Sequence, residues 1–351
     1  MARGMDHTIE ESDGAARRRP TIADVAERAG VSTALVSFAF NERPGVSAGT
    51  RERILVAAKE LRWRPSASAR ALTEARTRTI GLVLSREIDE LEVDSFFVRF
   101  LSGVERTLAR ADYAMVLQLV PASDAAATLG AYERLSAAGR VDGFLLTDPE
   151  LDDPRFALLE EASIPVVIAG RPATEAPFPW LETQHDRGIA RAVEHLVGLG
   201  HERIGFLGGS EAFEHVQRRF ATWREALAAA RLSDSRVEFS DADLGAAAAR
   251  LLQRGPTGVV CTSDVLAIAL TGVVGQRGLS VPGDVSVVGF DDSLLASLSS
   301  PALTSVRVDY TAFGAAASAA LLAEIEGIGA PPYNPSPPTL EARASTAAVR
   351  F

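Results

Sequence analysis

A short face of contact-forming residues stands out in the first quarter of the chain. Thr33, Ala34, Ser37 and Phe38 fall on one side of a helical pattern, and Val36 and Phe40 on the other. Thr21 and Asp24 stand just ahead at capping-box spacing, Gly30 follows at a helix-stop position, and Ser32 and Ser47 stand where two further helices can be capped. A capped helix, a tight turn and a second helix can enter the major groove of DNA, N-terminal end first, where side chains meet base edges or phosphates. The same spacing also fits an ordinary helical hairpin. Other chemistries find no support. The glycine-rich run 205–209 lacks the Gly-Lys-Ser/Thr ending of a phosphate loop, and no GxGxxG opens a helix. His185, His195, His201 and His215 have no metal-ligand spacing with Cys261. No nucleophile-and-base arrangement is visible. The expectation is no catalysis, no cofactor and no metal.

Several elements must position that face. Ile22, Val25, Ala26, Val36, Phe40, Ile54, Ala58 and Leu61 recur at helical spacing and predict one small core over 20–64, an all-α domain. Residues 1–19 are polar and read as a disordered tail; Met5 is an alternative start. Residues 65–78 are small and basic, with few core residues, and read as a linker of weak helical tendency. Beyond residue 79 the rhythm becomes strand then helix, with strands predicted at 80–84, 115–120, 143–147, 165–169, 204–208, 258–262, 285–290 and 305–308. Short apolar strands alternating with helices imply parallel sheets covered on both faces, and the length favours two doubly wound lobes. The expected division is 79–181 plus 304–328 for the first lobe and 182–303 plus 329–351 for the second. Ligands of such lobes sit at the carboxyl ends of the strands.

Composition narrows the function classes. The net charge is −10, yet residues 1–79 carry +4 and the rest −14, a basic module on an acidic body. Phosphate contact needs only the module. A lone cysteine excludes a disulfide framework, the N-terminus lacks a secretory apolar stretch, and no run suggests a membrane span. These features point to the cytoplasm.

The run 21–32, with Val36, Ser37, Asn41, Val46, Ser47, residues 50–53 and 64–65, resembles the LacI/GalR (lactose-repressor) family. The likeness continues in order through 79–83, 141–143, 164–167, 194–201, 281–292 and 301–306. It implies a helix-turn-helix domain, a hinge and a two-lobed, periplasmic-binding-protein-like core. The implied function is a dimeric repressor of a pseudo-palindromic operator, controlled by a small polar effector such as a sugar or nucleoside. Thr33 and Ala34 stand where the family reads bases. Phe38 stands where many members carry an arginine, and a phenyl ring cannot make that arginine's bidentate contact to guanine. Thr21, Ser32, Asn41, Ser47 and Arg51 complete the implied DNA-contact set. Ala69 and Leu72 match the hinge positions that wedge into the minor groove. For the effector the resemblance implies Phe97 as an aromatic wall, Arg219 as a hydroxyl or carboxylate anchor, and Ser263, Asp264 and Asp291 as acceptors. Departures at Gln184-His185 and Thr222 leave the ligand open. Two other readings compete, a sugar-binding protein of transport type and an α/β enzyme with an accessory DNA-binding module.

Overall fold

Capping organises the first of two structural units, 1–76 and 77–351. A computed structural model of the chain describes residues 18, 20–41, 43–64, 76–86, 95–122, 124–240 and 243–349. Helix α1 (Ile22–Ala29) starts at Thr21, whose Oγ1 accepts from the Asp24 N–H while the Asp24 carboxylate accepts from the Thr21 N–H at 2.6 Å. That reciprocal pair satisfies two otherwise orphaned donors. Gly30 ends the helix in the left-handed region at φ 63°. Helix α2 (Thr33–Phe40) is capped by Ser32, and α3 (Ala48–Glu60) by Ser47. The three bury Val25, Val36, Ala39, Ile54, Ala57 and Ala58 in one small core, and Trp63 packs edge-to-face on Phe40 at 5.2 Å.

In the larger unit, the first sheet comprises β1 (Thr79–Ser85), β2 (Ala114–Val120), β3 (Gly143–Thr147), β4 (Val166–Ala169) and β5 (Trp180–Leu181). It is interleaved with α4 (Ser95–Arg110), α5 (Ala125–Ala137) and α6 (Arg155–Glu161). The second sheet comprises β6 (Ile204–Gly208), β7 (Val237–Phe239), β8 (Gly258–Cys261), β9 (Ser286–Phe290), β10 (Thr304–Arg307) and β11 (Thr339–Glu341). Its helices are α7 (His185–Gly198), α8 (Glu214–Ala229), α9 (Leu244–Gln253), α10 (Asp264–Gln276) and α11 (Leu294–Leu298), while α12 (Tyr310–Glu326) returns to the first lobe. Strand orders are β2-β1-β3-β4-β5 and β11-β10-β9-β8-β6-β7, parallel except for β11 against β10. Both sheets are covered on two faces, so β3, β4, β6, β8 and β9 are buried along their length, as continuous apolar runs require.

Helices α4 and α12 cross at two glycines. A Cβ on Gly103 would lie 2.0 Å from the Thr311 carbonyl oxygen, and one on Gly314 would lie 2.1 Å from that of Phe100. No side chain fits there, and the contact brings Phe96 and Tyr310 together at the mouth of the lobe.

The structure moves two expected boundaries. Thr77 and Arg78 donate their backbone N–H groups to the Asp142 carboxylate at 2.6 and 2.8 Å, so the core begins at residue 77 and the linker ends at 76. Strand β10 pairs with β9, so 304–307 belong to the second lobe and the chain crosses after Arg307. Three strands were not anticipated: β5, β7 and β11 have two or three residues each, too few for a periodic signal. The hinge residues Ala69 and Leu72 lie outside the described residues.

Candidate DNA-reading helix and inter-lobe cleft

On α2, Thr33 and Ala34 are exposed, Phe38 is 38% exposed, and Ser37 is half-buried with its Oγ accepting from Asn41 Nδ2 at 3.3 Å. The Arg43 guanidinium lies 5.8 Å from the Phe38 ring centre, a cation–π arrangement that brings a five-donor group beside the ring. Arg51 is held from α3 against the end of α2. One of its guanidinium nitrogens donates to the Ala39 carbonyl and the other to the Arg43 carbonyl. Arg51 therefore closes the C-terminal end of α2, where a positive charge complements the helix dipole. Thr21, Ser32 and Ser47 are caps; the Ser47 hydroxyl also donates to Thr50 at 2.9 Å.

In the larger unit a cavity of about 440 Å³ opens between the lobes. Residues that follow strand ends line it: Arg86 after β1, Asp148 after β3, Gly170 after β4, Gly209 after β6, Ser240 after β7, and Thr262 and Asp291 after β8 and β9. That placement obeys the general rule for open α/β sheets.

The floor is built on the second lobe. Arg219, buried on α8, donates from one terminal nitrogen to the Thr262 carbonyl at 2.6 Å, and its guanidinium lies 4.0 Å over the Phe290 ring. Asp291 sits at φ +101°, with its Oδ1 accepting the Tyr310 O–H at 2.6 Å. Burial pushes the Asp291 carboxyl up to about 6, against the opposing pull of Arg219. The Tyr310–Asp291 hydrogen bond links the two lobes through the site, and within the first lobe the Tyr310 ring meets Phe96 edge-on at 4.9 Å. Arg99 reinforces that side by donating to the carbonyls of Asp291 and Asp292 at 3.0 and 2.6 Å.

On the opposite side the Phe213–His215 segment meets the first lobe. The Glu214 N–H donates to the Pro149 carbonyl at 3.3 Å, and the Arg86 guanidinium lies 5.5 Å from the Phe213 ring. Burial works to raise Asp148, but the Arg86 guanidinium at 2.8 Å holds it below its ordinary value. Burial also depresses His215 to about 3, so the imidazole is neutral, and raises Glu214 to about 7. Arg155, buried at the base of this side, pairs with Asp153 and donates to the carbonyls of Thr147 and Asp148, which fixes the loop bearing Asp148.

Comparison with known proteins decides what this arrangement belongs to. Residues 21–66 match the model of the bacterial regulatory proteins of the lacI family, and 193–346 match a periplasmic binding protein-like domain. The HTH-type transcriptional regulator CelR of Thermobifida fusca is 36% identical over 300 residues, covering 83% of this chain and 87% of that one. The chain belongs to the lacI family. Another relative, the regulator reg1 of Streptomyces lividans, is 35% identical over 88% of this chain and 91% of its own length. Two solved structures align along the chain. A CelR–cellobiose complex has a TM-score of 0.70 and 30% identity, covering 93% of this chain and 100% of that one. A lac repressor dimer bound to operator and the anti-inducer ONPF has a TM-score of 0.81 and 27% identity, covering 94% and 100%. As a lacI-family member the chain is an HTH-type transcriptional regulator whose DNA binding is under effector control.

Within this lacI-family core the structure corrects one site expectation. Phe97 is 1% exposed and faces inward with Phe100, Val104 and Leu108, whereas its neighbour Phe96 lines the cavity. One residue along a helix is a rotation of about 100°, enough to exchange wall for core. Asp264 lines the cavity, but both its oxygens are engaged, Oδ2 by the Ser293 N–H at 2.6 Å and Oδ1 by the Ser305 hydroxyl at 2.5 Å. It thereby ties α10 to the second sheet. Ser263 caps α10 through the Leu266 N–H and also lines the cavity. Sequence reasoning missed Phe213 and Ser240. Phe213 precedes a helix without a capping signal, and Ser240 follows a strand too short to recognise. Among the described residues no acidic, histidine or cysteine group is arranged to hold a metal ion, and no helix is long and apolar enough to cross a membrane. Cys261 is fully buried, with its thiol pushed up by that burial.

Proposed function

We propose that the chain is a cytoplasmic repressor that binds a pseudo-palindromic operator as a homodimer and releases or tightens its grip when a small polar effector enters the cleft. Thr33, Ala34 and Phe38 read the major groove, with Arg43 supplying the guanidinium that Phe38 lacks. Ala69 and Leu72 form the hinge wedge. Arg219, Ser263 and Asp291 hold the effector from the second lobe, and Phe96 and Tyr310 close over it from the first. The effector is bound and released unchanged.

The observation that carries this reading is the cavity itself. It is lined from both lobes and joined across them by the Tyr310–Asp291 hydrogen bond, so a ligand there has different contacts in open and closed forms. Such a difference in affinity is what a ligand needs to shift a conformational equilibrium. The solved CelR relative holds cellobiose, and the lac repressor relative holds operator and anti-inducer together. The test is a gel shift of the full chain on DNA upstream of its own gene, with neutral sugars and nucleosides added singly. Binding that weakens steeply with salt, and that one added compound changes, is the expected result. DNA binding indifferent to every compound would reject effector control, and turnover of any compound would favour an enzyme.

A further inference from the structure

Two consecutive residues of the second lobe stand in a backbone conformation that residues other than glycine rarely adopt. Asp291 has φ +101° and Asp292 has φ +49°. Strain of that kind persists only where surrounding contacts over-determine it, and it gathers at ligand clamps and switch points.

The contacts that hold this turn divide by lobe. Within the second lobe, the Asp291 N–H donates to the Val306 carbonyl at 2.8 Å and the Asp292 N–H to Ser305 Oγ at 3.0 Å. The Asp292 carboxylate accepts from Arg307 at 2.7 Å and from Arg343. From the first lobe come two further holds. Tyr310, at the start of α12, donates its hydroxyl to the Asp291 carboxylate at 2.6 Å. Arg99, on α4, donates from one terminal nitrogen to the Asp291 carbonyl at 3.0 Å and from the other to the Asp292 carbonyl at 2.6 Å. A guanidinium is a rigid planar fork, so two adjacent carbonyls fit it at one relative position of helix and turn. A rotation of the lobes that carries α4 off the turn breaks both bonds together. Hydrogen bonds from an ionised donor are stronger than neutral ones, such as that from the Glu214 N–H to the Pro149 carbonyl at 3.3 Å on the other side of the cleft.

Phe96, Tyr310 and Asp291 line the cavity, whereas Arg99 is not part of its wall. Phe96 stands about one turn before Arg99 on the same helix. Close packing of Gly103 on Thr311 and of Gly314 on Phe100 makes α4 and α12 one body. That body grips the strained turn twice, through Tyr310 on the cavity side and through Arg99 outside it. A molecule in the cavity that takes the Asp291 carboxylate competes with Tyr310 for it, and the grip of Arg99 is then the one that remains.

We propose that Arg99 is an inter-lobe latch, a positioning residue of effector control that touches no effector and acts through the Asp291–Asp292 turn. This rests on the reading of the cleft as the effector site. Losing Arg99 and losing the Tyr310 hydrogen bond act in the same sense, because each removes one of the first lobe's holds on the turn.

The test is the distance between two spin labels on the full-length chain, one in each lobe, at Glu133→Cys and Glu225→Cys. Both positions are exposed, and Cys261, the chain's own single thiol, is buried away from the label. Labelled chain is diluted with unlabelled chain, so that distances within one protomer are read. Arg99→Met keeps a long side chain without donors, and its distance distribution is expected to shift or broaden. Arg99→Lys, which keeps a charged donor, should fall between it and wild type, and Tyr310→Phe should move the distribution the same way. An unchanged distribution in Arg99→Met, whatever its thermal midpoint, makes Arg99 a packing residue and overturns the proposal. Opposite movements in Arg99→Met and Tyr310→Phe overturn it too. The unlabelled chains are then titrated with a DNA site selected from a randomised pool, alone and with cellobiose, maltose or adenosine. Without any of these compounds, Arg99→Met is expected to change DNA affinity at least about fivefold, in the direction in which an active compound changes that of wild type. If a compound shifts wild type and Arg99→Met alone leaves affinity unmoved, the latch is refuted while the effector-cleft reading stands. If neither compounds nor variants shift it, both fail.

Discussion

Within two turns of α2, Thr33, Ala34 and Phe38 come to one face through helix geometry alone; in the cleft, Arg99 and Asp291 hydrogen-bond across 192 residues of chain. The first arrangement is local. Capping at Thr21, Ser32 and Ser47 sets where helices begin, and a small core sets which side is outward. The second exists only when two sheets, a glycine-packed helix pair and three crossovers are all in place. A change to the DNA-reading face should therefore alter what is recognised while leaving the fold intact. A change in the cleft or beneath it should alter affinity and stability together.

Removing residues 1–76 is the strongest test of that separation. The remaining core should bind effector with an unchanged dissociation constant and show no specific operator affinity in a gel shift. Specific DNA binding by the truncated protein would show that the two functions are not divided this way. Gly314→Ala is next in size. Its methyl would meet the Phe100 backbone at 2.1 Å, and overpacking against backbone should cost about 3 kcal/mol, at the upper end of the usual range. Scanning calorimetry should show the core transition lowered and any separate transition of the DNA-reading unit unmoved. If both fall together, the units unfold as one.

Asp291→Asn should weaken effector binding roughly ten- to a hundredfold, the scale of a hydrogen bond to a charged group. A pH series sharpens the point. The Asp291 carboxyl titrates at about 6, so wild-type affinity should fall as the pH drops from 7 to 5, by at most about tenfold per unit, and the Asn variant should not share that fall. The sign for stability is opposite. Folding raises this carboxyl from 3.8 to about 6, so the folded core binds the extra proton, a contribution fully present below about pH 4 and lost as pH rises through 6. Phe38→Arg should have the smallest effect on overall affinity. It restores a bidentate donor worth about 1–3 kcal/mol of discrimination at a guanine, so selection from randomised DNA should show a changed operator preference. An unchanged preference would mean that position 38 does not face the bases, and Arg43→Ala would then test the neighbouring guanidinium.

Much of this molecule is written in local pattern. The capping box, the glycine stop, the small helical core and the buried parallel strands each follow from residue types at short spacing, because helix and strand periods are properties of the backbone. The order of the lobes and the strand-end position of the site follow from the same pattern. The tertiary structure decided which side of each element carries the work. It placed Phe96 rather than Phe97 in the cleft, because α4 is held in register by glycine contacts with α12 from the far end of the chain. It gave Asp264 two internal donors and left Ser240 Oγ and Arg219 Nε buried without a partner, and it turned Arg51 onto the end of α2. Those outcomes depend on which groups meet across long separations in sequence. A side chain's partners are set by packing between elements, and packing has no counterpart in the spacing of residues along one of them.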